Sequence, residues 1–556
     1  MTTAFLDDLS RAIAAAATQA TGIADPVVPL VPPARPEHGD IASPVAMGVA
    51  KRAGRSPREI ADEIAGALRG REDLAIVIEG VEVAGPGFLN FRMRPGWFQG
   101  TVHSIASADR DFGAGSATPR EAILLEFVSP NPTGPMHVGH ARHAAYGDAV
   151  ARLLDFVGHT VWRECYVNDY GRQMELFGAS VAARYAELVG DEPHLPEDGY
   201  RGAYVSDIAA EIRAEIGDRF AGRVSPPDPE TLGFFAAAGG KRMLARTQAE
   251  LETCRVRIDR YFSETVLHAE GRVLAGIDAL RAAGLTFEDD GATWFRTSDF
   301  GDEKDRVLVR SDGATTYLAA DVAYHLDKAA RMGDRMIDIL GADHHGYINR
   351  LKAVIAAAGY SPDVLEVLIM QLVSLVEKGE AKRMSKRAGT LVTLSELVDD
   401  IGVDATRFFL VERSHDTAFE LDLDLARDQS QENPVYYVQY AHARCSSILA
   451  KADEAGVHRV DEYTAPPELD ASERALVLRL ADWPDAVADA AARRAPHRLA
   501  AYLKDLAREL HAFYHRCRVV GEADELQAFR VELTVATRQI LALGLELLGV
   551  EAPERM

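Results

Sequence analysis

At 556 residues the chain is longer than one hydrophobic core organises, and three or four domains of ~150 residues are expected. Hydrophobic residues make up 47%, yet no run of ~18 apolar residues occurs, which excludes a membrane-spanning helix. The net charge of −24 excludes a uniformly basic nucleic-acid binder but leaves room for a local basic face.

The opening Met1-Thr-Thr-Ala-Phe-Leu-Asp-Asp has no basic stretch followed by an apolar one, so it does not read as a secretion signal. Residues 1 to about 110 form a compact α+β module in this reading. An Ala-rich helix is expected over Phe5 to Thr21. Ser56-Pro57-Arg58-Glu59 offers an N-cap, a Pro at the first helical position and a capping-box Glu, ahead of the stripe Ile60, Ile64 and Leu68. Ala75 to Met93 predicts two strands split at Gly85-Pro86-Gly87. Phe112-Gly-Ala-Gly-Ser116 reads as a linker, because a lone Gly-rich patch before a strand is a weak sign of nucleotide binding.

From 111 to about 400 the pattern is α/β, a doubly wound parallel sheet of Rossmann-like type. Ile123–Val128, Thr160–Val167, Met336–Leu340 and Val367–Val376 are its strand candidates. A long insertion, about 170 to 310, separates its halves, with helical runs at Asp207–Ile216 and Met243–Phe262. From 401 to 556 the chain reads as all-α, with helical periodicity at 434–455, 472–490, 494–518 and 524–548. Thr393-Leu-Ser-Glu396 is a capping box ahead of it. The four cysteines, Cys165, Cys254, Cys445 and Cys517, are far apart without CxxC pairing and read as free thiols of a reducing cytoplasm.

The richest segment is Glu126-Phe-Val-Ser-Pro-Asn-Pro-Thr-Gly-Pro-Met-His-Val-Gly-His140. An apolar strand leads into a turn containing Pro130, Pro132, Gly134 and Pro135, and His137-Val-Gly-His140 then opens a helix that Gly158 closes at its C′ position. A strand, a tight turn and a helix N-terminus hold phosphate through unpaired N–H groups and the helix dipole. Gly139 lacks a Cβ, so a flat base can approach there, and His137 and His140 can donate to phosphate oxygens as charge develops. An isolated pair of histidines three apart is more often a structural feature. Far downstream, Lys382-Arg-Met-Ser-Lys-Arg-Ala-Gly389 is a basic loop of the kind a departing pyrophosphate needs.

Together, in this order, the two motifs resemble the HIGH and KMSKS signatures of class I aminoacyl-tRNA synthetases, and the longer block Glu126–Arg142 resembles the arginyl-tRNA synthetases. Tyr317 with Asp321, Gly341-Ala-Asp-His-His-Gly-Tyr347, Asp404-Ala-Thr-Arg407 and Gln431–Tyr440 extend the resemblance over nearly the whole chain. Met136 stands where Leu is common, Arg383 where the loop's first Lys is, and Arg387 where its last Ser is, while Lys386 is intact.

The resemblance implies ATP-dependent joining of L-arginine to tRNA(Arg), with Mg²⁺ accompanying ATP and no permanently bound cofactor or zinc. His137, His140 and Lys386 would carry catalysis. Pro130, Gly134, His137, Gly139, His140, Met384, Ser385 and Lys386 would hold ATP. Glu126, Ser129, Asn131, His137, Tyr317, Asp321, Asp343 and His344 would hold arginine, with Tyr317 packing on the guanidinium and Asp321 accepting two hydrogen bonds. The N-terminal module would contact the tRNA elbow and the C-terminal helices the anticodon, in a cytoplasmic monomer.

Several readings stay open. Asp343-His-His345 is a metal-ligand pattern as well as an adenylate-facing one. Lys51, Arg52, Arg55 and Arg58, and the group Arg493, Arg494, His497, Arg498, Arg508, His511, His515, Arg516 and Arg518, are either a tRNA face or ordinary solvated helix surfaces. The rivals are another enzyme on the same nucleotide fold, a non-catalytic RNA-binding relative and a metal-dependent hydrolase. The C-terminal helices, the missing zinc-site spacing and the intact His137, His140 and Lys386 weigh against them.

Overall fold

The computed structural model describes residues 2–331, 333–382, 392–460 and 462–556. The N-terminal module packs the helix Pro57–Arg69 on a three-stranded antiparallel sheet ordered Ile41–Ser43, Phe88–Met93, Ile78–Ala84, with the helix Thr2–Thr21 laid against that helix. Ile60, Ile64 and Leu68 are buried on one face of the second helix, as their spacing predicts. Ser56 sits at the N-cap but makes no side-chain cap bond, so that helix starts on the fixed φ of Pro57.

The central sheet has five parallel strands, ordered Leu365–Met370, Arg335–Gly341, Ala122–Glu126, Thr160–Val167, Arg260–Ser263. In chain sequence this is 5-4-1-2-3, the doubly wound order with its switch point between the first and fourth strands. Alternate residues of the first strand face opposite cores. Ile123 and Leu125 pack with the helix Val138–Phe156, whereas Leu124 packs with Ala329, Leu351 and Ile355. Two sequence expectations change here. The run read as a helix over Met243–Phe262 divides, because its helix ends at Thr253 and Arg260–Ser263 returns as the outer strand of the main sheet. The strand read over Val367–Val376 breaks after Met370, and Val373–Glu377 pairs with Phe419–Asp422 in a different sheet.

Between the second and third strands, helices Arg172–Val189, Ala203–Ile216 and Pro229–Thr253 enclose their own core around Phe177, Tyr185, Ile208 and Phe235. Between the third and fourth, Thr286–Asp289, Ala292–Phe295 and Arg306–Val309 form a small antiparallel sheet. The C-terminal part is helical: Pro434–Glu454, Ala471–Ala481, Trp483–Ala492, Pro496–Arg516 and Asp524–Leu547. The expected 472–490 helix is two helices, with Pro484 in the first turn of the second. Arg474 joins this bundle to the N-terminal module by donating to both oxygens of Asp40, at 3.1 and 3.2 Å.

Candidate active site

The first strand delivers Glu126 to the carboxyl edge of the sheet, beside the switch point where doubly wound folds bind ligands. Two residues later Val128 has φ 59°, a left-handed conformation that β-branched residues rarely adopt. It is held by burial and by Cys165, whose thiol donates to its carbonyl at 2.7 Å. The backbone thus leaves the sheet and enters the Pro-rich turn. There the Ser129 hydroxyl donates to Glu126 Oε1 at 3.1 Å, and the Asn131 amide donates to Gln173 Oε1 at 2.8 Å. Pro130 is buried. The Tyr204 hydroxyl, from the helical insertion, donates to the Thr133 carbonyl at 2.8 Å, and a Cβ on Gly134 would lie 3.2 Å from it.

His137 is the N-cap of the following helix. Its Nδ1 accepts the Gly139 N–H at 3.1 Å, so in the neutral ring the proton sits on Nε2. The His137 and His140 rings stack with centroids 3.9 Å apart at 19°. A Cβ on Gly139 would fall 3.0 Å from His137 Cε1, so the space that glycine leaves is used first by the protein's own cap. The same helix start meets the chain again downstream: the Leu394 N–H donates to the Met136 carbonyl at 2.8 Å and the Val138 N–H to the Val392 carbonyl at 3.3 Å. Thr393 and Glu396 form the expected capping box at this point. Arg383, Met384, Ser385, Lys386 and Arg387 lie outside the described residues. Lys382 is within them, with Nζ 3.5 Å from Glu377 Oε2.

A second wall is the helix Tyr317–Arg331. Tyr317 is 69% exposed at its first turn. One turn on, burial pushes the Asp321 carboxyl up to about 6, with His325 opposing and Glu126 adding to the shift. Sequence reasoning missed its partner. Glu264 follows the third strand directly, and burial pushes its carboxyl up to about 7, a hydrogen bond with Tyr166 opposing and Asp321 and Asp169 adding to the shift. The detectable signal was the short β-rich run Arg260-Tyr-Phe-Ser263, which puts the next residue at the carboxyl edge. Two acids whose pKa values burial raises in a partly dry site, with Asp321 adding to the shift of Glu264, form a receptor for a cation with several donors.

Asp343 and His344 lie on the 3₁₀ turn after the fourth strand, both exposed, with His344 Nε2 3.7 Å from Asp343 Oδ2. His344 also interacts electrostatically with Asp321. Among the described residues no group of three or more His, Cys, Asp or Glu is placed to hold a metal ion.

Much of the basic surface is internally neutralised. Arg55 pairs with Glu63, Arg493 and Arg498 with Asp489, and Arg508 with Asp505, while Arg494 is buried beside Glu366. A groove of about 980 Å³ in the C-terminal bundle carries basic residues that sequence reasoning had not grouped. Arg444, Lys451 and Arg555 join Arg516 and Arg518 there, with Tyr440 and Tyr514 in the wall. The Arg444 guanidinium lies 4.6 and 4.3 Å from those two ring centroids.

Three family models match in chain order: an arginyl tRNA synthetase N terminal domain over 7–93, a class I (R) tRNA synthetase catalytic domain over 101–430 and a DALR anticodon binding domain over 438–556. The chain is 46% identical to an arginine–tRNA ligase of Desulforudis audaxviator and 44% identical to one of Shouchella clausii, in each case over 96% of this chain and 95% of the relative. The chain belongs to the arginyl-tRNA synthetases. The arginyl-tRNA synthetase of Thermus thermophilus superposes with a TM-score of 0.75 over 99% of this chain and 100% of that one, at 26% identity. In arginyl-tRNA synthetase terms, the Glu126–His140 block and Thr393 lie within the catalytic match and the Tyr440–Arg444 groove within the anticodon-binding match.

Proposed function

We propose a division of labour for these residues in the arginine–tRNA ligase reaction. The chain is an ATP-dependent arginine–tRNA ligase. The carboxylate of L-arginine attacks the α-phosphate of ATP, pyrophosphate leaves, and the arginyl group then passes to the terminal ribose of tRNA(Arg). The observation that carries the assignment is the pair Asp321 and Glu264, two buried acids with raised pKa values that interact with each other, Asp321 also with Glu126 at the end of the first strand. They receive the guanidinium, whose planar fork suits two carboxyl groups, and Tyr317 covers it. Glu126, Ser129 and Asn131 hold the other end of the amino acid, with Asp343 and His344 facing the adenylate.

ATP lies against Pro130, Gly134, His137, Gly139 and His140, where imidazole N–H groups and the helix N-terminus stabilise charge on the phosphates. Lys386, with Met384 and Ser385, meets the departing pyrophosphate. The bonds that tie Val392 and Leu394 to Met136 and Val138 support this, because Lys386 is only six residues from Val392, a reach of at most about 20 Å. Mg²⁺ enters with ATP and neutralises the leaving phosphates. The Arg444 groove receives anticodon bases, stacked on Tyr440 and Tyr514. A monomer in the cytoplasm is the working state, which the four free cysteines fit. Charging of total tRNA with each of the twenty amino acids tests the assignment. Arginine alone is expected to be attached, and attachment of another amino acid overturns it.

A further inference from the structure

The helix Tyr317–Arg331 buries an ammonium next to the arginine site. Lys328 Nζ donates to Glu126 Oε2 at 2.7 Å and to Asp338 Oδ1, and lies 5.0 Å from the centre of the Tyr324 ring. The other Asp338 oxygen meets His325 Nε2 at 3.1 Å, and the other Glu126 oxygen accepts the Ser129 hydroxyl at 3.1 Å. The side chains of Lys328 and Asp338 are fully covered and those of His325 and Glu126 nearly so. Burial alone would drive the proton off this lysine, but Asp338 and Glu126 reverse the effect and raise its pKa above the ordinary value.

Packing does not require this arrangement. Leu or Met would close the same helix–sheet contact without desolvating three charges, and buried ion pairs replaced by apolar residues commonly gain stability. The lysine does have a use at the site. It fills one oxygen of Glu126, fixing the carboxylate's rotamer, and it ties the helix bearing Asp321 to the strand ending in Glu126. It also supplies a positive charge among Glu126, Asp338 and Asp321, which interact electrostatically.

Resting on the reading of Glu126 as an arginine ligand, we propose that Lys328 is a positioning residue for arginine. It orients Glu126 and sets its distance from Asp321, so that the two acids meet the two ends of one substrate.

The test is ATP–pyrophosphate exchange in the presence of tRNA(Arg), with arginine and ATP varied separately. Lys328→Met keeps the length and removes the charge, and is expected to raise the arginine KM about 30- to 100-fold while the ATP KM holds. Because that variant strands Asp338, Lys328→Met/Asp338→Asn removes both charges and is expected to recover the melting temperature. A double variant with parental stability and a still-raised arginine KM supports the proposal. Recovery of both, with Glu126→Gln raised in arginine KM, overturns it alone and leaves Lys328 a structural ion. An unchanged arginine KM in Glu126→Gln overturns the reading of Glu126 and the proposal with it.

Discussion

Arg407 and Asp148 form an ion pair with 1% of either side chain exposed, Nη2 to Oδ2 at 2.6 Å. The same guanidinium donates to the Leu548 carbonyl at 3.0 Å and to the Cys254 carbonyl at 2.6 Å. Asp148 belongs to the helix that His137 begins, so the last helix, the insertion and the active-site helix converge on one arginine. Gly549, at φ 70°, keeps its Cα side open to it, and a Cβ there would run into the guanidinium. Burial opposes ionisation of Asp148, and Arg407 and Arg152 outweigh it, holding its pKa below the usual carboxylate range. Arg407→Ala is expected to destabilise the fold by about 3–5 kcal/mol, because it leaves a buried carboxylate short of a partner. Denaturant unfolding measures this, and a loss within about 0.5 kcal/mol, the range of ordinary surface substitutions, would contradict the pair's role.

Asp321→Asn and Glu264→Gln are each expected to weaken arginine use while leaving ATP binding in place. Either amide points donors at a guanidinium that offers only donors. A lost charge-assisted pair of this kind costs about 2–5 kcal/mol, or roughly 30- to several-thousand-fold in kcat/KM for arginine. Steady-state kinetics with the two substrates varied separately decide the matter.

Arginine affinity is expected to rise with pH. In the free protein Asp321 and Glu264 titrate at about 6 and about 7, so both are partly protonated there. A bound guanidinium favours their charged forms and stays protonated itself throughout. The arginine KM therefore falls as pH rises through 6–7 and levels off above it. These two raised acids favour folding most below their ordinary carboxylate range and lose that contribution as pH climbs from there to 6–7, while the rise in Tm on adding arginine grows with the affinity. Glu264→Gln flattens the upper part of both curves.

Lys386→Ala is expected to slow adenylate formation by about 10²–10³-fold with little change in the arginine KM. Charge on pyrophosphate grows only along the reaction, so the lysine acts in the transition state. Single-turnover adenylate formation reads this directly, and unchanged turnover with a raised arginine KM moves Lys386 out of the role.

Adenylate formation is expected to need tRNA. The convergence at Arg407 gives the C-terminal helices a direct mechanical path to the helix of His137 and His140. ATP–pyrophosphate exchange at full rate without tRNA contradicts it.

What could be read from the sequence follows from what is local. Thr160–Val167 emerges with the expected ends because its apolar alternation and the Gly158 stop both lie within a few residues. The Thr393–Glu396 capping box is local as well, and it forms. Arg260–Ser263 was hidden because four residues following a helical run carry too little periodicity of their own, and Glu264 went unseen with it. Lys328 went unread and Arg407 stood out only through the Asp404–Arg407 motif, since a sequence names a charge but not its partner 202 or 259 positions away. The Gly85-Pro-Gly87 break was legible and the break after Met370 was not, because the chain turns there between two equally apolar strands.

The spacing along Tyr317–Arg331 makes that helix a gauge. Asp321 reaches the site, His325 and Lys328 grip the sheet, and they stand four and seven residues apart. Deleting one residue between Asp321 and Lys328 would swing the substrate acid by roughly 100° and draw it about 1.5 Å along the axis. Relatives can therefore exchange side chains on this helix far more readily than they can alter its length.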